Sequence, residues 1–160
     1  MFKRILISGG ACAALLLAGC DDVSGPDGNN ANCTPLFNTV QEQRGDTVVT
    51  TTGVRYIETT AGTGGTVASC RLASVSFRGT LVDGTEFQPT VSAYTIMPGS
   101  GALIEGFEQG VVGMRVGGVR RVIIPPNLAY GSTARTDANG RVVIPANSTI
   151  IFDIGARAVE

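Results

Sequence analysis

The chain has 160 residues, 22 of them glycine, with no histidine, no tryptophan, 16% charged residues and a formal net charge of −1. Without histidine, a Ser-His-Asp triad, a histidine general base and a histidine-containing zinc site are all excluded. Without a basic block there is no electrostatic footprint for nucleic acid. The length leaves room for one domain with appendages, and the glycine-rich, charge-poor composition points to β structure.

The N-terminus reads as a processing signal. Lys3 and Arg4 precede an apolar run over residues 5–18, too short for a comfortable membrane span. The run ends in Leu17-Ala18-Gly19-Cys20, which resembles the lipobox of bacterial lipoproteins, with Cys20 as the acylated residue. An ordinary secretory signal with an incidental cysteine is the alternative. Acylation predicts a chain anchored to a bacterial membrane and facing the periplasm, on the inner or the outer membrane. Acyl chains bury about 0.8 kcal/mol per methylene, so several together anchor stably. Removal of residues 1–19 takes away two cations and no acid, so charge does not draw the remainder to anionic lipid. Cys12 leaves with the signal and Cys20 is used by lipid. Cys33 and Cys70 remain, an even pair in an oxidising compartment, which predicts a disulfide; two free thiols are the alternative.

The chain divides into a signal (1–19), a lipidated cysteine and tether (20–45) and a folded domain (46–160). Residues 21–32 are Asp, Asn, Gly, Ser and Pro with little apolar content. Residues 33–45 are transitional, with Leu36, Phe37 and Val40 as docking contacts. Residues 47–52 are β-branched and strand-like, and residues 54–57 continue that strand after Gly53. Residues 61–65 form a turn. Residues 72–82 make a strand that stops at Asp83-Gly84. Residues 94–97 read as a short strand ended by Pro98-Gly99. The helix is at 107–114, where Phe107, Val111 and Met114 share a face. Residues 119–124 are a strand leading into Pro125-Pro126, and 132–142 are a polar loop. Residues 149–159 are the last strand, with Ile150, Phe152 and Ile154 on one face and Ile151 and Asp153 on the other. The sum is an α+β domain, an antiparallel sheet with one short helix packed across it.

Residues 106–131 read GFEQGVVGMRVGGVRRVIIPPNLAYG. With Phe77-Arg78-Gly79-Thr80-Leu81 and Asp83-Gly84-Thr85-Glu86-Phe87 upstream, and Ile144-Pro145 and Ile151-Phe152-Asp153 downstream, this run resembles the FKBP family of peptidyl-prolyl cis-trans isomerases. The resemblance covers about residues 46–160. It implies an FKBP-like bent antiparallel sheet wrapped around one short helix, with an apolar pocket between them. Carried over by position, Phe107 is the pocket floor, in place of the family's usual tryptophan. Phe77, Phe87, Tyr94, Leu103, Ile104 and Phe152 are the walls, and Tyr130 and Ile144 lie at the rim. The resemblance places Tyr130, Phe77, Gln88 and Phe87 beside the reacting amide, and gives the Ile104 N–H and the Tyr130 hydroxyl the flanking carbonyls to hold.

Such a pocket implies proline-containing polypeptides as substrates, macrolide immunosuppressant-type ligands as further occupants, assistance to the folding of envelope proteins, and no metal or cofactor. A monomer is expected. The chain departs from the family's pattern at two polar positions: Phe77 stands where the family commonly has tyrosine, and Gln88 where it has aspartate. Losing both avoids a buried carboxylate without a partner, but removes a polar group from the amide. A proline-binding module with weak turnover is therefore the second reading, and a structural envelope domain the third. The walls, apolar and with no charge beside the proline, predict a preference for an apolar residue before the proline.

Overall fold

β-branched and aromatic residues at alternate positions build a seven-stranded sheet in this computed structural model, all its neighbouring strands antiparallel. The structure describes residues 33–36 and 40–160; the expected signal, Cys20, the tether to residue 32, and Phe37 lie outside the described residues. The strands are β1 (Val40–Arg44), β2 (Thr47–Thr50), β3 (Arg55–Thr60), β4 (Ala73–Leu81), β5 (Glu86–Ile96), β6 (Val119–Ile124) and β9 (Ile150–Val159), in the spatial order β1-β2-β3-β6-β9-β4-β5. Strands β7 (Arg135–Thr136) and β8 (Val142–Ile144) pair as a separate hairpin. The helix α1 spans Glu105–Val111 and packs across β6 and β9.

Alternation sets the faces. In β9, Ile150, Phe152 and Ile154 are buried, and in β6, Val122 and Ile124 are fully buried. The residues between them, Arg121, Ile123, Ile151 and Asp153, form the outer face. There Arg121 donates Nε and Nη2 to the two Asp153 carboxylate oxygens at 2.7 and 3.0 Å, directly across the β6–β9 pair. That contact raises the Arg121 pKa, chiefly through the hydrogen bond.

The helix packs directly on the sheet through Gly106 and Gly110, which face it without side chains. A Cβ there would come within 2.2 Å of Ile124 Cγ2 and 2.5 Å of Val122 Cγ1 respectively. Two helical glycines cost about 1 kcal/mol each relative to alanine, a penalty offset by this close approach. Glu105 and Glu108 sit in the first turn, the favourable end for acids. At the other end, the buried Arg120 of β6 donates Nη1 to the carbonyls of Gly110 at 2.8 Å and Val112 at 3.1 Å. A cation thereby satisfies the terminal carbonyls. Its other contacts are Glu58 and the face of Tyr56, 4.0 Å from the ring centroid.

Several elements differ from the sequence expectation. Residues 47–57 are a hairpin, not one strand, because the chain reverses at Gly53 (φ +97°), where Thr50 and Val54 bond across the turn. The sheet begins at Val40, within the stretch read as tether. The strand expected at 94–97 starts at Glu86 and is eleven residues long. The helix ends at Val111 rather than at Met114, which is nonetheless buried. The expected polar loop carries the β7–β8 hairpin. The cysteine expectation is met: Cys33 and Cys70 are bonded, with their Cα atoms 5.6 Å apart, and this ties the N-terminal segment to the domain.

Candidate active site

The inner faces of β4, β5 and β9, the N-terminal end of α1 and the β7–β8 hairpin enclose a cleft of about 620 Å³. Its floor is a cluster of four phenylalanines drawn from four elements. Phe107 of α1 meets Phe152 of β9 edge-to-face at 5.0 Å, and Phe77 of β4 meets Phe107 at 5.4 Å and Phe152 at 6.0 Å. Phe87 of β5 meets Phe152 at 5.5 Å with the rings perpendicular. Such edge-to-face pairs are the favoured geometry of aromatic quadrupoles. Phe107 and Phe152 are almost wholly buried, while Tyr94, which touches Phe77 at 5.9 Å, is 47% exposed and stands at the mouth. The Phe87 ring lies over Gly79, the register partner of Gln88; a Cβ at Gly79 would come within 2.6 Å of the ring, so only glycine leaves that wall in place.

Residues 97–104 form one lip and bring Leu103 and Ile104 to the cleft. This loop has little regular structure, and a buried carboxylate organises it. Glu108 reaches out of α1 and accepts hydrogen bonds from the N–H groups of Gly99 at 2.9 Å, Leu103 at 3.2 Å and Gly101 at 3.3 Å. The disulfide segment braces the same loop from outside, with Thr34 N–H donating to Gly99 O at 2.9 Å and Cys70 N–H to Pro98 O at 2.8 Å. The Ile104 N–H donates no hydrogen bond among the described residues, and its carbonyl accepts from Phe107 and Glu108 at the helix start.

The opposite lip carries Tyr130. A short 3₁₀ turn at Pro126–Leu128 delivers it, closed by Ala129 and Gly131 N–H groups donating to Pro126 O. Tyr130 is half-buried, and its hydroxyl makes no hydrogen bond among the described residues. The guanidinium of Arg135 stacks over the Tyr130 ring, 4.6 Å from the centroid.

All ten residues expected at the pocket line this cleft: Phe77, Phe87, Gln88, Tyr94, Leu103, Ile104, Phe107, Tyr130, Ile144 and Phe152. Ile144, expected at the rim, is buried in the wall instead, because β8 folds back over the cleft edge. Gln88 turns its amide to the carbonyl of Pro89 at 3.3 Å. Val91, Val143 and Arg135 also line the cleft and were not expected. Val91 precedes the short strand expected at 94–97 and lies within β5. Arg135 corrects the expectation of an uncharged surround: among the described residues it is the one charged residue of the lining, and its sequence signal is a cation five residues after Tyr130. Among the described residues, no cluster of three or more His, Cys, Asp or Glu is placed to hold a metal ion.

A family model for FKBP-type peptidyl-prolyl cis-trans isomerase matches residues 64–156, more than half of the chain and every lining residue of the cleft. The chain belongs to the FKBP family. It is 43% identical over 104 residues to FK506-binding protein 4 of Chaetomium thermophilum, a match covering 64% of this chain and 20% of that protein. It thus spans about a fifth of the length of such fungal relatives. Against FK506-binding protein 2 of Dictyostelium discoideum it is 40% identical over 83 residues, half of this chain and 59% of that protein. The crystal structure of AtFKBP13 superposes with a TM-score of 0.64 at 27% identity, covering 71% of this chain and 98% of that one. FkpA from Escherichia coli superposes with a TM-score of 0.59 at 29% identity, covering 74% and 53%.

Proposed function

We propose that this FKBP domain is a peptidyl-prolyl cis-trans isomerase that acts on proline-containing polypeptides. The observation that carries the reading is the cleft itself: four clustered phenylalanines below, with a backbone N–H at Ile104 on one lip and a hydroxyl at Tyr130 on the other, neither with a partner among the described residues. Rotation about a peptide bond faces a barrier of about 18–20 kcal/mol because of C–N double-bond character. For X–Pro the two ground states differ by only about 0.5–1 kcal/mol, so the reaction is slow rather than uphill. A catalyst needs only to bind the twisted amide better than the planar one. Twisting removes resonance and its charge separation, so the amide in transit is less polar and is favoured by an apolar, water-poor cleft. Phe107, Phe152 and Phe77 grip the proline ring, with Leu103, Ile144 and Tyr94 around it. The Ile104 N–H and the Tyr130 hydroxyl hold the flanking carbonyls, while Phe87 and Gln88 flank the amide. No proton is transferred and no metal is required by this mechanism. FK506-type ligands are expected to compete for the cleft.

The test is the rate of cis-to-trans conversion of short X–Pro peptides with an apolar residue at X, measured with the full chain in mild detergent. Acceleration that an FK506-type macrolide abolishes supports the reading. Binding of the same peptides without acceleration favours the second one, a proline-binding module. The observation on that side is that Phe77 carries no hydroxyl and the Gln88 amide is turned to its own backbone neighbour.

The lipobox-like Leu17-Ala18-Gly19-Cys20 supports a lipid anchor at Cys20, and the Cys33–Cys70 disulfide suits an oxidising compartment. On this reading the domain is tethered to a bacterial membrane, faces the periplasm and assists the folding of envelope proteins. Cys20→Ser should move the protein from the membrane to the soluble fraction; continued membrane attachment would count against acylation.

A further inference from the structure

We infer that Arg135 makes the cleft selective for proline segments that carry an acidic side chain close to the proline. The inference rests on the proline-binding reading of the cleft and names its substrate class.

Four observations carry it. Among the described residues Arg135 is the one charged residue lining the cleft, and no carboxylate lines it. It forms no ion pair or side-chain hydrogen bond among the described residues, whereas Asp137 and Glu86 are engaged elsewhere. Asp137 accepts the backbone N–H groups of Asn139 and Arg141, both at 2.9 Å, and pairs with Arg141 Nε at 3.3 Å; Glu86 pairs with Arg78. Third, the Arg135 guanidinium is held in place, stacked 4.6 Å over the ring of Tyr130. Fourth, β7–β8 pairing fixes its backbone, with Arg135 opposite the buried Ile144 of the cleft wall.

A guanidinium stacked on an aromatic face keeps its N–H edges open, and those edges match a carboxylate in two parallel hydrogen bonds. The stacking also orders the side chain before a ligand arrives, so less rotamer freedom is lost on pairing. Arg135 and Tyr130 share one lip, so a peptide running past the Tyr130 hydroxyl passes the guanidinium. An extended chain advances roughly 3.3 Å per residue, so the arginine meets side chains within about two positions of the proline. Arg135 is exposed, so screening limits the effect and salt should weaken it.

The experiment compares three peptide sets that differ only in Glu, Gln or Lys at positions one and two on either side of an apolar-X–Pro unit. Both kcat/KM for isomerisation and Kd are measured with the full chain in mild detergent at low and high salt. At one or more positions the Glu peptide should exceed the Gln peptide about two- to five-fold at low salt, with Lys below Gln, and the ratio should shrink at high salt. Arg135→Gln should bring the Glu/Gln ratio to about one, and Arg135→Glu should invert the order in favour of Lys. Arg135→Lys should keep the order with a smaller ratio. Equal Glu and Gln values at every position at low salt, in rate and in Kd, overturn the inference. Absence of acceleration on all peptides sinks the isomerase reading, and the Kd ratios then decide the role of Arg135 alone.

Discussion

The two lips of the cleft are built on different physical terms. The 97–104 lip has a buried carboxylate, Glu108, at its centre and a disulfide-tied segment behind it, so the N–H groups of Gly99, Gly101 and Leu103 have a fixed partner. The lip from Tyr130 to Ile144 buries Ile144 at its base but carries a short hairpin outward, turned at residues 137–141 and with Arg135 stacked on Tyr130. The first presents apolar side chains and one N–H; the second presents the hydroxyl and the cation. Hydrogen bonds to a buried charge are worth more than the same bonds at a surface. The apolar wall is therefore firmly held, and the polar lip is the part that substitution can retune cheaply.

The largest expected effect breaks the brace on the firm lip. Cys33→Ser with Cys70→Ser opens a loop of sequence separation 37, and should lower stability by about 3–4 kcal/mol in a urea titration. A loss below 1 kcal/mol would mean that the segment at 33–36 does not brace the lip.

Next is Glu108→Gln, which keeps the volume but turns an amide NH₂ toward backbone donors. It should cost about 2 kcal/mol, with faster amide hydrogen exchange at Gly99, Gly101 and Leu103. Unchanged exchange at those three amides would show that the loop holds itself.

On the polar lip, Tyr130→Phe removes one hydroxyl and keeps the ring under Arg135. Since that hydroxyl has no partner among the described residues, stability should hardly change. Loss of one substrate hydrogen bond worth about 1 kcal/mol corresponds to roughly five-fold in kcat/KM. Full activity in the phenylalanine variant would remove Tyr130 from the mechanism.

The smallest effect is one of pH. The backbone N–H of Arg141, with that of Asn139, holds the Asp137 carboxyl below its ordinary value of 3.8. A depressed carboxyl stabilises the folded turn above its unfolded pKa, and that support is lost as pH falls through the lower folded value. Resonances of the β7–β8 hairpin should therefore shift only below about pH 4, as the pH falls toward the lowered folded value, and Asp137→Asn should abolish that shift. The same acid shift persisting in the Asp137→Asn variant would deny that carboxyl a role in the turn.

Much of this was readable from the chain because short-range periodicity reports which face a residue takes. The alternation of Ile150, Phe152 and Ile154 against Ile151 and Asp153, and the strand at 119–124, depend on neighbours two positions away and stand in the structure as read. The lining phenylalanines were legible through the family's motifs, which carry positions rather than contacts. Strand β5 was not legible across 88–94. It is an edge strand, irregular in register against β4 between Val75 and Thr80, and largely exposed, so no clean alternation marks it. Glu108 and Arg135 show the deeper limit. As letters they are an ordinary helical acid and a loop cation. Only when distant segments close does Glu108 meet the amides of residues 99–103 and Arg135 come over Tyr130 at the mouth of an apolar cleft. Burial pattern is a local property of the chain, whereas the partner of a charge depends on which segments the fold brings together.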